Sequence, residues 1–127
     1  MVNFPVVGGM LVLWNLRDAP SVDRQPRMAP LAWRVVEVAS GDRHIVAELA
    51  PGVLRLTTAI RNVDSPSRTV TTVSGRVYEL GAGPADDPAT IEMLMVWASL
   101  AFPDGCEDVS TELWLQLLGP EFQSLQN

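Results

Sequence analysis

Residues 31–80 read LAWRVVEVASGDRHIVAELAPGVLRLTTAIRNVDSPSRTVTTVSGRVYEL, and the fold turns on whether this stretch makes strands. A period of 2 answers the question, because successive side chains of a strand point to opposite faces. Residues 31–39 and 44–50 are apolar-rich runs flanking Ser40-Gly41-Asp42-Arg43, where Gly41 supplies the positive φ that suits a hairpin loop. In the second run Ile45, Ala47 and Leu49 share one face, His44, Val46 and Glu48 the other, and one face is expected to be core. Pro51-Gly52 breaks the chain. Residues 53–63 then place Leu54, Leu56, Thr58 and Ile60 on one side, with Arg55, Thr57, Ala59 and Arg61 on the other. At residues 64–67, Pro66 pre-sets φ for the first central position of a type I turn. Residues 68–73 return, Ser74-Gly75 turns tightly, and residues 76–80 end the meander. Its threonines and valines suit a pleated surface.

Thr57, Ile60, Val63, Asp64, Thr72, Ser74, Gly75, Tyr78 and Leu80 follow a Thr-x-x-Ile, Val-Asp, Thr-x-Ser-Gly-x-x-Tyr-x-Leu pattern. It resembles the closing hairpins of a group of small bacterial proteins. The resemblance spans residues 57–80 only and implies an antiparallel sheet, with no activity, cofactor or site attached to it.

Downstream the period changes. Asp87 fits an N-cap and Pro88 the first helical position, so residues 88–101 read as a helix. Ile91, Leu94, Met95 and Ala98 form one stripe, yet Met93, Val96, Trp97 and Leu100 cover most of the remainder. A helix apolar nearly all round must be covered on more than one side, by sheet and a second helix or by another subunit. Residues 109–118 form the second helix, with Asp108 as its expected N-cap and Gly119-Pro120 as its stop. Upstream, residues 17–30 carry three prolines and three arginines and read as a long loop. Residues 4–7 and 10–16 read as a buried hairpin around Gly8-Gly9, since the apolar run is too short and too broken for a membrane span. Nor does it carry the basic start or cleavage site of a secretory signal.

At 127 residues the chain has the length of one domain, residues 1–127, with 47% hydrophobic and 19% charged residues arguing against disorder. Its net charge of −6, with no lysine, excludes a general nucleic-acid binder, which needs surplus positive charge against phosphate. One Cys and one His leave neither a disulfide framework nor a His/Cys metal site, and a cytoplasmic location is expected. The charge is unevenly placed. All nine arginines and seven acids lie in residues 1–80, a balance of +2; residues 81–127 hold eight acids and no base, a balance of −8. Such asymmetry marks a boundary in structure or in partner.

Catalytic and ligand-binding constellations are thin. His44 with Glu48 on one strand face resembles a base oriented by a carboxylate, but no nucleophile accompanies them. Cys106 is surrounded by Asp104, Glu107 and Asp108, whose charges suppress a thiolate. Those acids lack the twelve-residue calcium-loop spacing. Gly81-x-Gly83 precedes a helix whose start holds Asp86 and Asp87, where a phosphate would have to sit. Arg55, Arg61, Arg68 and Arg76 suggest a positive strand face, with no aromatic beside them on which a base could stack. No cofactor and no metal are expected.

The sequence therefore predicts an α+β domain: an antiparallel, bent or barrel-like sheet of six or seven strands followed by two C-terminal helices. The expected function is non-enzymatic binding of a basic protein partner, in the manner of small acidic inhibitors, immunity-type proteins or phage antagonists. The residues expected to meet it are Glu92, Met93, Trp97, Asp104, Glu107, Asp108, Glu112 and Trp114. Self-association through the same helices is the competing use. The alternative reading is a small-molecule pocket between sheet and helices, lined by Trp33, Tyr78 and Trp97.

Overall fold

The computed structural model describes residues 25–119; the hairpin expected over residues 4–16 and the tail beyond the second helix lie outside them. The chain order is β1 (Arg27–Met28), β2 (Ala32–Val38), β3 (Arg43–Ala50), β4 (Val53–Asp64), β5 (Thr69–Thr72), β6 (Val77–Glu79), α1 (Pro88–Ala101), β7 (Cys106–Asp108) and α2 (Ser110–Leu118). The strands form one α+β sheet ordered β1-β6-β5-β4-β3-β2-β7. From β2 to β6 it is the antiparallel meander that the alternation and turns imply. Gly41, Gly52 and Gly75 take φ of 92°, 77° and 93° at three of its turns. Arg68 N–H donates to Ser65 O at 3.2 Å across the fourth, with Pro66 at the first central position.

Two additions lie where the sequence reads as loop. Within residues 17–30, β1 pairs parallel to β6, Arg27 opposite Val77, so the sheet is mixed rather than antiparallel throughout. Between the two helices, β7 pairs antiparallel to β2, Glu37 opposite Glu107, so the helices do not simply follow the sheet. Strands of two and three residues are too short to show periodicity. The sheet is bent but not closed, since β1 and β7 are its two ends.

The bend comes from β4. Between Val46↔Leu56 and His44↔Ala59 it spends one residue more than β3, and between Ile60↔Thr72 and Asn62↔Thr71 one more than β5. Each extra residue is a bulge, which kinks the strand and exchanges its faces. Leu54 and Leu56 consequently pack in one core and Ile60 in the other; by Val63 the two bulges have cancelled, and this odd-numbered residue joins Ile60. This overturns the single alternation expected over residues 53–63. At the first bulge Thr57 turns inward, its Oγ1 accepting Ile45 N–H at 3.0 Å and donating to Thr58 O at 2.7 Å.

Both faces of β2 and β3 are buried, which corrects the expectation of one core face. Trp33, Val35, Ile45 and Ala47 join Leu113 and Leu117 of α2, together with Val70, Tyr78 and Leu80. Val36 and Val46 join Leu94, Trp97 and Ala98 of α1 on the opposite face, with Leu54. The two helices therefore sandwich the sheet, and α2 lies on the far side of it from α1. Asp87 caps α1 as its position implies, Oδ2 accepting Thr90 N–H at 3.0 Å, with Pro88 in the first turn. Among the described residues, no helix is long and apolar enough to cross a membrane.

Candidate functional site

The acidic segment is anchored to the sheet by arginines. Arg34, in the middle of β2, donates from Nε at 3.0 Å and Nη2 at 2.7 Å to Asp108 Oδ2, and from Nη1 at 2.8 Å to Ala85 O. The other carboxylate oxygen of Asp108 accepts the N–H of Ser110 at 3.0 Å and its hydroxyl. That hydroxyl accepts Val35 N–H at 2.8 Å, while Val109 N–H donates to Val35 O at 2.9 Å. Together they continue the β2–β7 ladder one rung past its last strand pair. Burial pushes the Asp108 carboxyl upward, but the Ser110 hydrogen bonds and the Arg34 guanidinium outweigh it and hold the group below its ordinary range. Asp108 is thus a structural carboxylate set just ahead of α2. The N-cap itself is Val109, without a side-chain cap bond, which corrects the expected capping role of Asp108.

Arg43 bridges Glu37 at 3.0 Å and Glu112 at 3.4 Å, tying α2 to β3. Arg27 pairs with Glu79 at 2.8 Å. Among the described residues Glu48 pairs with no arginine; it accepts Gly52 N–H at 3.0 Å in the β3–β4 turn. Three of the four arginines of the suggested positive strand face are engaged elsewhere, and Arg61 is exposed. Arg55 reaches Met28 Sδ at 3.6 Å, Arg68 lies 5.7 Å from the Trp114 ring centre, and Arg76 is buried with Nε on Gln25 O at 2.9 Å.

The aromatic candidates separate in the same way. Trp33 and Tyr78 are buried in the α2-side core, whereas Trp97 is buried on the α1 side, so the sheet divides the three and they do not line one space. Trp114 is half-buried against Trp33, ring centres 6.1 Å apart, and approaches Gly83 closely enough that a Cβ there would lie 3.5 Å from its ring. Trp33 Nε1 donates to Ala82 O at 3.0 Å. Met93 packs against the α1-side core. Of the eight residues expected to meet a partner, Glu92, Asp104, Glu107 and Glu112 are exposed, and among the described residues Glu112 is the one of these four in an ion pair.

His44 is engaged with backbone rather than with Glu48. Its Nδ1 lies 2.9 Å from Thr57 O and its ring centre 4.9 Å from that of Phe102. Burial first, and then the Asp108 charge, push the Cys106 thiol upward, away from the reactive thiolate. Among the described residues no cluster of His, Cys, Asp and Glu is arranged to hold a metal ion. Of Gly81-x-Gly83, Gly83 belongs to the wall of an open groove of about 370 Å³ shared with Leu31, Ala32, Asp86, Asp87 and Thr90, its helix start occupied by the Asp87 carboxylate.

One surface was not singled out by the sequence. With Leu94, Trp97 and Ala98 turned into the sheet, the opposite side of α1 presents Glu92, Met95, Val96, Ser99 and Leu100 around an open groove of about 330 Å³. These positions recur at helical spacing and form a second stripe. Val96 and Leu100 are 40% and 36% exposed. The signal was present as a helix with apolar residues all round; which stripe would face the sheet was not, because both are apolar. Comparison with protein families, with curated proteins and with solved structures finds no match to this chain.

Proposed function

We propose that this chain is a non-enzymatic protein-binding module whose partner is basic. The observation that carries the reading is the outer face of α1, where Val96 and Leu100 stand exposed beside half-buried Met95. Contiguous exposed apolar surface rimmed by charge is characteristic of an interaction site. The charged residue on this face is Glu92, and the segment that contains it has one sign. Residues 81–119 contain seven acids and no base. Arg34 and Arg43 neutralise Asp108 and Glu112. Asp86, Glu92, Asp104 and Glu107 remain exposed and form no ion pair among the described residues. Such a field steers a basic partner, and the apolar centre supplies burial once it arrives. The non-enzymatic part rests on His44, Glu48 and Asp108, each of which is held by a backbone or ion-pair partner.

Affinity capture from the native host lysate with the tagged full chain tests this. A basic protein should be retained at low ionic strength and released at about 1 M salt, where screening acts within about 3 Å. A chain that enriches no basic protein over blank resin, and sediments as a strict monomer at micromolar concentration, overturns the reading.

A further inference from the structure

We infer that the outer face of α1 receives an amphipathic helix of the partner, with arginines or lysines of that helix seated at the C-terminal end of α1; this rests on the protein-binding reading above. The open face runs along Glu92, Met95, Val96, Ser99 and Leu100, positions three and four apart on α1 with the small Ser99 leaving a shallow gap between larger neighbours. A stripe of that spacing is the surface into which a second helix packs its own ridge, and helix-in-groove recognition reads it through anchors at i, i+3, i+4 and i+7.

Charge decides the occupant. The C-terminal end of a helix carries about half a negative charge, normally complemented by Lys, Arg or His in the last turn. Here the last turn of α1 holds no base, and Asp104 follows two residues past the Phe102 cap. The groove's other end carries Glu92. A second copy of this chain is a poor occupant. Laid antiparallel, it would set each Glu92 against the other copy's negative helix end and Asp104; laid parallel, Glu92 against Glu92. Like charges so placed are destabilising, and residues 81–119 supply no base to relieve them. A basic amphipathic helix satisfies both ends and covers Val96 and Leu100.

Fluorescence anisotropy tests the assignment with two labelled peptides of about 18 residues, roughly 27 Å as helices. One carries a leucine stripe flanked by arginines; the other has the same composition scrambled to destroy the stripe. The full chain should bind the amphipathic peptide at least about tenfold more tightly than the scramble, and Leu100→Asp or Val96→Asp should weaken it about tenfold or more. Glu92→Gln with Asp104→Asn should weaken it about two- to fivefold and flatten its salt dependence. Val73→Asp, on the exposed β5–β6 loop, should leave it unchanged. Equal binding of both peptides, or indifference to Leu100→Asp, overturns the inference. So does a dimer in sedimentation velocity that Leu100→Asp dissolves, since the face would then take a second copy. A basic protein captured equally by wild type and Leu100→Asp would overturn this inference while leaving the protein-binding reading intact.

Discussion

Replacing Asp108 by Asn should destabilise the fold by about 2 kcal/mol, although it changes one atom. The carboxylate accepts two hydrogen bonds from Arg34 on one oxygen and two from Ser110 on the other. An asparagine keeps one acceptor. Either its amide N–H groups face the guanidinium, or they face Ser110, so one pair of donors loses its partner. Hydrogen bonds to charged groups contribute about 1.5–3 kcal/mol each, and breaking a fully buried ion pair costs about 3–5 kcal/mol. Side-chain exposures of 16% for Arg34 and 27% for Asp108 admit some water, which brings the expectation to about 2 kcal/mol. For a domain of this size that is a fall of about 8 °C in thermal midpoint, measured by circular dichroism at pH 7. The pH dependence has a definite sign. A carboxyl whose folded pKa lies below its unfolded value of 3.8 stabilises the fold above that value, and the contribution disappears as pH falls through the folded pKa. The gap between wild type and Asp108→Asn should therefore be full at pH 6–7 and shrink as the pH falls below 3.8 towards the folded pKa. A gap under about 2 °C at pH 7 would refute the reasoning, as would one that stays constant down to pH 2.

Three further outcomes follow from other parts of the fold. Leu94→Ala and Leu113→Ala, on opposite faces of the sheet, should each cost about 2–5 kcal/mol in urea denaturation, and the double variant should equal their sum within about 0.5 kcal/mol. Asp87→Ala, which removes the carboxylate that accepts Thr90 N–H, should cost about 1 kcal/mol in the same assay. Gly119→Ala should cost about 1–3 kcal/mol, because φ 90° and ψ 171° suit glycine and a Cβ would lie 2.7 Å from Ser65 Oγ. The hydrogen bond from Ser65 to Leu117 O should loosen with it, visible as faster amide exchange at the end of α2.

Most of the regular structure was legible where a local rule has enough residues to act. The hairpins over residues 31–80 follow from alternation and from Gly41, Pro51-Gly52, Pro66 and Ser74-Gly75, and α1 follows from Asp87-Pro88. The candidate site was legible only in part. Glu92, Asp104 and Glu107 are exposed, but Trp97 and Trp114 are packed inside or against a core, and it is Val96 and Leu100 that stand exposed on α1. A helix with two apolar stripes does not say which one the sheet will take.

Taken alone, the sequence determined the strand meander, the two helices and the separation of basic from acidic residues, because period, turn chemistry and charge act over a few neighbouring positions. Tertiary structure decided the rest. Only pairing at a distance shows that Arg27–Met28 lies beside β6 and Cys106–Asp108 beside β2. One extra residue in β4 at the first bulge moved Ile60 to the other core from Leu54 and Leu56, an event invisible to parity counting. The charge division was altered in the same way: folding brings Arg34 and Arg43 across to Asp108 and Glu112. What remains acidic is a narrower set of exposed residues, since an ion pair depends on distance through space and not on position along the chain.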